Sequence, residues 1–299
     1  MTQVFPPFDP DRDDRKRRPL LFTRSTIPIR ALVPSLFTLM GLCAGLTAIR
    51  MAIEHRYDVA IAALVLAAFL DGIDGRVARL LKATSRFGAE LDSLADFVNF
   101  GVAPAIVIFT WALGGLKSFG WIVVLVFAIC AALRLARFNA ALADADSQPA
   151  WKAGFFVGIP APAGALLVLL PLYAENLGVA LFSELPILVI LYTLSIAFLM
   201  VSRVPTWSGK MLGQRVAREY VLPLFVLAMM FIALLLTYPD YTLTFGSLTY
   251  LAVIPLSYLS YRRQEAKHEA AARAGNGAGK PSAGAGEHKD TEPPGAKPA

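Results

Sequence analysis

The apolar positions of this chain run on almost without relief, broken by short polar stretches rather than alternating with them. Runs of about 20 residues, the length a helix needs to cross a bilayer, fall at 32–53, 58–81, 91–113, 119–140, 157–175, 183–203, 219–237 and 242–261. A helix apolar on every side must be buried in protein or in lipid. The pattern therefore predicts an all-α fold, a polytopic membrane helix bundle with about eight transmembrane helices. GGLKSFG, residues 114–120, separates the third run from the fourth, and Tyr238, Pro239 and Asp240 form a turn between the seventh and eighth. From Gln264 onward the chain turns to Ala, Gly, Pro, Lys and Glu, with too little apolar surface to offset the entropy of ordering. Three regions follow: a basic N-terminal segment at 1–31, a membrane domain at 32–262, and a disordered cytoplasmic tail at 263–299.

Composition agrees and adds orientation. Of 299 residues, 56% are hydrophobic and 17% charged, which leaves no room for a large soluble catalytic domain. The first 30 residues carry charges and prolines where a signal peptide needs an apolar run, so no cleaved signal is expected and the start stays in the cytoplasm. With that start inside, the inner loops hold Lys82, Arg86, Arg137, Lys152, Lys210, Arg215, Arg218, Arg262 and Arg263. The outer loops hold little beyond Arg56 and Lys117, in line with the positive-inside rule. The protein is thus expected in the cytoplasmic (inner) membrane, among membrane lipids and with no nucleic-acid partner. Arg15 to Arg18 form a basic run suited to anionic headgroups or to a solvated tail. Cys43 and Cys130 sit within apolar runs and offer no disulfide framework.

The chemistry is concentrated in Leu70 to Gly101. Asp71 and Asp74 are spaced i,i+3 and Asp92 and Asp96 i,i+4, so each pair projects from one helical face. An ionised carboxylate at membrane depth costs roughly 2.5–3.5 kcal/mol, so four without partners cost on the order of 10 kcal/mol. A cation is required between the two helices. An oxygen-only set with no cysteine or histidine nearby favours Mg²⁺, Mn²⁺ or Ca²⁺. The alternative is a structural cluster of ion pairs with Arg76, Arg79 and Arg86. Gly72, Gly75 and Gly88 interrupt the same segment, each at about 1 kcal/mol inside a helix, which suggests close approach by a ligand.

Asp71, Asp74, Gly75, Ala78, Arg79, Gly88, Asp92 and Asp96 reproduce a pattern of eight fixed positions: D, two residues, DG, two residues, AR, eight residues, G, three residues, D, three residues, D. On these residues the chain resembles the CDP-alcohol phosphatidyltransferases. The resemblance implies a six-helix catalytic core, commonly a homodimer, and a divalent metal cofactor, Mg²⁺ or Mn²⁺, as two ions. It implies that Asp71, Asp74 and Asp92 bind metal, that Asp96 completes the second site and is the catalytic base, and that Gly75, Ala78, Arg79 and Gly88 bind the CDP moiety. A guanidinium suits phosphate oxygens, which gives Arg79 a physical reason. The first apolar run also resembles the family's start, with Pro34 and Thr38 in place and Ser35 where the family has asparagine, so Thr38 joins the CDP-binding set.

The shared signature leaves the acceptor alcohol open. Four further stretches, from Ser85, Ala132, Phe155 and Leu199, resemble the phosphatidylserine synthase branch, whose substrates are CDP-diacylglycerol and L-serine. Serine presents a carboxylate and an ammonium beside the reacting hydroxyl. Arg134 and Arg137, with Asn99 and Asn139, are the acceptor-binding candidates, with headgroup anchoring or helix-end compensation as the plainer use of the arginines. Choline or glycerol 3-phosphate as acceptor, a transporter with an acidic ion site, and a noncatalytic scaffold are the competing readings. Choline has no carboxylate for the arginines to bind.

Overall fold

In the computed structural model the described residues are 29–81, 85–143, 155–202, 204–207 and 218–277, and they are almost wholly helical. Helix α1 (Ile29–Ile53) and α2 (Tyr57–Leu80) form an antiparallel hairpin packed along most of its length. Small residues make the close approach possible: Ala44, Ala48 and Ala52 on α1, and Ala60 and Ala67 on α2, are all buried. The turn between them places His55 at φ 57.

The next column is one helical path with two widened turns. Helix α3 (Arg86–Asp96) starts on Ser85, whose hydroxyl accepts from the Gly88 amide at 3.0 Å and caps the orphan N-terminal donors. The column then loosens into a π-helical turn at Phe97–Val102, continues as α4 (Ala103–Ile108), and loosens again at Phe109–Leu113. The first widened turn buries Asn99, Phe100 and Gly101. The chain reverses at Gly114–Leu116, with Lys117 at φ 48, and α5 (Lys117–Ala143) returns antiparallel. A Cβ on Gly120 would lie 2.2 Å from the Leu113 carbonyl oxygen, so the reversal requires glycine there.

Helices α6 (Ala161–Val168) and α7 (Leu170–Asn176) make a short broken column, followed by α8 (Leu181–Glu184) and α9 (Pro186–Val201), which packs on α5. Helix α10 (Arg218–Thr237) buries none of residues 220–237 and touches mainly α11 (Pro239–Gly277), which packs on α7 and α6. The hydrophobic core has Phe100, Phe127, Leu64, Leu172, Ile196 and Met200 fully buried at its centre.

The all-α, membrane-type architecture expected from the apolar runs is therefore present, with two differences, a short ribbon and a longer last helix. Among the described residues, four helical stretches are long and apolar enough to cross a membrane by length and composition, Val33–Ile53, Phe87–Ala141, which reverses at Gly114–Leu116, Tyr220–Thr237 and Pro239–Arg262. Helix α2 carries Asp58, Asp71, Asp74, Arg76 and Arg79, and the α6–α7 column is broken, so neither is a long apolar helix. A two-stranded antiparallel ribbon joins β1 (Phe155–Val157) to β2 (Pro205–Trp207), in the register Phe155 to Trp207 and Val157 to Pro205. Finally, α11 continues to Gly277, past the boundary at 262 where the disordered tail was expected. The segment EAKHEAAARA consists largely of strong helix formers and simply extends the helix before it. Residues 278–299, the segment at 1–28, Lys82, Lys152, Arg203, Lys210 and Arg215 lie outside the described residues.

Candidate active site

The two aspartate pairs meet across the α2–α3 junction. Carboxylate oxygens of Asp71, Asp74 and Asp92 lie within 4.8 Å of one another. Asp96, one turn past Asp92, lines the same recess as the other three. At a spacing of 4.8 Å, two ionised carboxylates repel by about 3.5 kcal/mol at an effective dielectric near 20. Among the described residues no salt bridge joins these aspartates to Arg76 or Arg79, and Arg79 instead donates its Nε to the Gly75 carbonyl at 3.1 Å. The side chain of Arg86 lies outside the described residues. Asp92 Oδ1 is buried with no hydrogen-bond partner. Three converging carboxylates with an orphaned buried oxygen suit a hard divalent cation, which takes oxygen ligands and offsets the repulsion.

Helix α1 supports the cluster from behind. Thr38 is buried, and its hydroxyl lies 2.9 Å from Asp74 Oδ2 and 3.2 Å from the Pro34 carbonyl. Asp74 is itself only 5% exposed, so this hydroxyl orients a carboxylate that is buried away from solvent.

Beside the carboxylates opens a cavity of about 210 Å³. Its walls bring together Thr38, Asp74, Gly75, Ala78, Arg79, Gly88 and Asp92, so the nucleotide-site residues expected from the signature share one space with two of the aspartates. Where a Cβ would stand on Gly75 there is no atom within 4 Å, which leaves the cavity wall open at that point. Pro34, Ser35, Ser85 and Ala89 complete the lining. Ser85 escaped the sequence reading, although Ser three residues before Gly88 is a legible cap signal.

The acceptor candidates separate. Asn99 is 2% exposed in the π-helical turn and lines the inner recess with Asp71, Asp92 and Asp96. Its amide lies against α1 where Gly41 and Gly45 leave the surface bare. A Cβ on Gly45 would stand 2.1 Å from Asn99 Oδ1. These two glycines were also missed, though their i,i+4 spacing is a known signal for close helix approach. Arg134 is 8% exposed, its Nε has no hydrogen-bond partner, and Asp96 and Tyr250 lie within electrostatic reach of it. The Phe138 ring sits 5.5 Å from its guanidinium carbon.

Arg137 and Asn139 are turned to other work. Arg137 is exposed and donates to the Val201 carbonyl at 2.6 Å, compensating the C-terminal end of α9. Asn139 donates to Ser93 Oγ at 2.9 Å and ties α5 to α3. Neither arrangement points to a ligand.

The chain matches the family described as CDP-alcohol phosphatidyltransferase over residues 31–201, and the one described as CDP-alcohol phosphatidyltransferase 2 over 219–255. It is 44% identical over 240 residues, 80% of this chain and 78% of the other, to the CDP-diacylglycerol--serine O-phosphatidyltransferase of Mycobacterium leprae. The identically named protein of Helicobacter pylori (strain ATCC 700392 / 26695) is 35% identical over 208 residues, 70% of this chain and 83% of that one. The Bacillus subtilis protein of that name is 36% identical over 173 residues, 58% of this chain and 88% of that one. The first match spans α1 to α9, with the carboxylate cluster and its cavity inside it: the chain belongs to the CDP-alcohol phosphatidyltransferases.

Proposed function

We propose that this chain transfers the phosphatidyl group of CDP-diacylglycerol to the hydroxyl of L-serine, releasing CMP and phosphatidylserine. The observation that carries the reading is the meeting, around one cavity, of Asp74 and Asp92 of the carboxylate cluster with Thr38, Gly75, Ala78, Arg79 and Gly88. The names of the relatives supply the two substrates.

Asp71, Asp74 and Asp92 hold the divalent metal, with Asp96 completing a second position. These carboxylates would hold Mg²⁺ or Mn²⁺, and a metal bound there would supply positive charge to offset that of the diphosphate and of the leaving CMP. Gly75 and Gly88 leave room for the nucleotide, Ala78 lies against it, and Arg79 swings its guanidinium from the Gly75 carbonyl toward phosphate. Asp96 receives the proton of the serine hydroxyl as the new O–P bond forms and the bond from that phosphorus to CMP breaks.

Serine requires an anion site close to Asp96, and Arg134 fills that role. It is buried, it has an unpartnered donor, and Asp96 is nearby. Arg137 and Asn139 are structural, and Asn99 forms the floor of the recess. The same reading places the protein in the cytoplasmic membrane with eight spans, both ends and the carboxylate cluster on the cytoplasmic side, and a homodimer as the working unit.

The test is CMP release by purified protein given CDP-diacylglycerol and Mg²⁺ or Mn²⁺, with L-serine, choline or glycerol 3-phosphate added in turn. Release is expected with serine, and Asp71→Asn, Asp74→Asn and Asp92→Asn are each expected to fall to near background while eluting as folded protein. Release driven by choline or glycerol 3-phosphate and not by serine would overturn the acceptor.

A further inference from the structure

A carboxylate that ligates a metal is normally held by a hydrogen-bond donor of its own, which fixes its rotation. Thr38 does this for Asp74 from α1. The second pair, Asp92 and Asp96, belongs to α3, and Asn99 enters their recess from the same helical column. It follows Asp96 by three residues and Asp92 by seven, the spacing of one helical stripe. The π-helical turn that carries it, Phe97–Val102, is packed by α1, α2 and α5, and such widened turns recur at functional sites.

Two glycines set the direction of its carboxamide. A Cβ on Gly45 would collide with Asn99 Oδ1, whereas the atom nearest a Cβ on Gly41 would be Asn99 Nδ2, at 3.6 Å. The amide therefore lies along α1 with its oxygen at Gly45 and its nitrogen at Gly41. Gly41 lines the recess with Thr38, Asp71, Asp74, Asp92 and Asp96, while Gly45 is four residues further along α1 and outside that lining. The donors thus lie at the carboxylate end, and the oxygen is pressed on bare backbone with no hydrogen-bond partner among the described residues. An orphaned polar atom in so buried a side chain costs about 1–3 kcal/mol. That cost is offset where the N–H groups at the other end of the amide meet carboxylates.

We propose that Asn99 is a positioning residue of the carboxylate site, its amide N–H groups holding the Asp96 carboxylate as the Thr38 hydroxyl holds that of Asp74. This rests on the reading that the aspartates bind a divalent cation. Side chains on a helix lean toward its N-terminus, which carries the Asn99 amide back over Asp96. A carboxylate that accepts from the amide on one side keeps its remaining lone pairs directed at the cluster. Gly45 belongs to the same device, since any side chain there would displace the amide.

The experiment is a calorimetric titration of the full-length, detergent-solubilised protein with Mn²⁺, without substrates, for wild type, Asp71→Asn, Asn99→Leu, Asn99→Ala and Asn99→Ser. Leucine keeps the shape of the amide and removes its donors. Alanine and serine give up the packing equally, and serine alone keeps a donor. Asn99→Leu and Asn99→Ala are each expected to weaken Mn²⁺ binding about tenfold or more, the usual loss when the partner of a metal ligand is removed. Asn99→Ser is expected to bind more tightly than Asn99→Ala. Wild-type affinity in Asn99→Leu or in Asn99→Ala, with binding lost in Asp71→Asn, overturns the role of Asn99 and leaves the metal site standing. Equal losses in Asn99→Ala and Asn99→Ser make Asn99 a packing residue and also overturn the proposal. Binding that survives unchanged in Asp71→Asn overturns the metal reading and the proposal with it.

Discussion

The hydroxyl of Thr38 lies 2.9 Å from Asp74 Oδ2, linking the start of α1 to the first aspartate pair of α2 across 36 residues of chain. That contact fixes the rotation of the Asp74 carboxylate, leaving it to face Asp71 and Asp92 rather than solvent. A side chain that locks a ligand's orientation tunes a metal site without touching the metal.

Replacing Thr38 with valine keeps the shape and removes the hydroxyl. The concentration of Mg²⁺ giving half-maximal CMP release is expected to rise about tenfold or more, the range found when partners of metal ligands are removed, and Thr38→Ser is expected to recover most of it. A Mg²⁺ titration of each variant checks this. An unchanged titration in the valine variant would leave Thr38 as packing alone.

Asn99 and Gly45 form a second linked pair. Adding a Cβ at Gly45 puts it 2.1 Å from Asn99 Oδ1 and 3.2 Å from the Asn99 Cα, so the π-helical turn must shift. Gly45→Ala is expected to cost about 1–3 kcal/mol, as overpacking usually does. Asn99→Ala in the same chain should recover part of the loss, since the nearest clashing atoms are gone. Melting temperatures of the two single variants and the double variant give the coupling. Additive losses would mean that the two residues do not meet.

Much of this site is legible in the sequence because fixed spacing on a helix fixes a face. Asp71 with Asp74 and Asp92 with Asp96 needed only that rule, and the cost of unneutralised carboxylates in an apolar run brought the two pairs together. The same rule fails for Arg134 and Arg137. They too are spaced i,i+3, but which of them enters the bundle depends on how α5 rotates against α9, and only packing decides that. The ribbon of Phe155–Val157 with Pro205–Trp207 was invisible for a related reason: its first strand merges with the apolar run that follows, and its pairing spans about 50 residues. Helix α11 ran past 262 because apolar content was used to mark its end, whereas helix propensity carries it on through an alanine-rich polar stretch.

The division between the two arginines is directly testable. Arg134→Gln is expected to raise the serine KM about tenfold to hundredfold, the value of a hydrogen bond to a charged group, with the donor KM nearly unchanged. Arg134→Lys should recover little, because an ammonium cannot reproduce the planar fork. Arg137→Gln removes a contact to the end of α9 and should lower the melting temperature slightly while leaving the serine KM within about twofold. The reverse pattern, a raised serine KM in Arg137→Gln alone, would move the acceptor site to the exposed end of α5.

The central claim is that the serine hydroxyl forms the new bond at the phosphorus next to the lipid. The most direct measurement uses L-serine labelled with ¹⁸O in its hydroxyl, incubated with the protein, CDP-diacylglycerol and Mg²⁺, with both products weighed by mass spectrometry. Attack at that phosphorus keeps the serine oxygen in the new ester, so phosphatidylserine is expected to carry the label and CMP to carry none. Labelled nucleotide product, or the absence of any labelled phospholipid while CMP is released, would contradict the account.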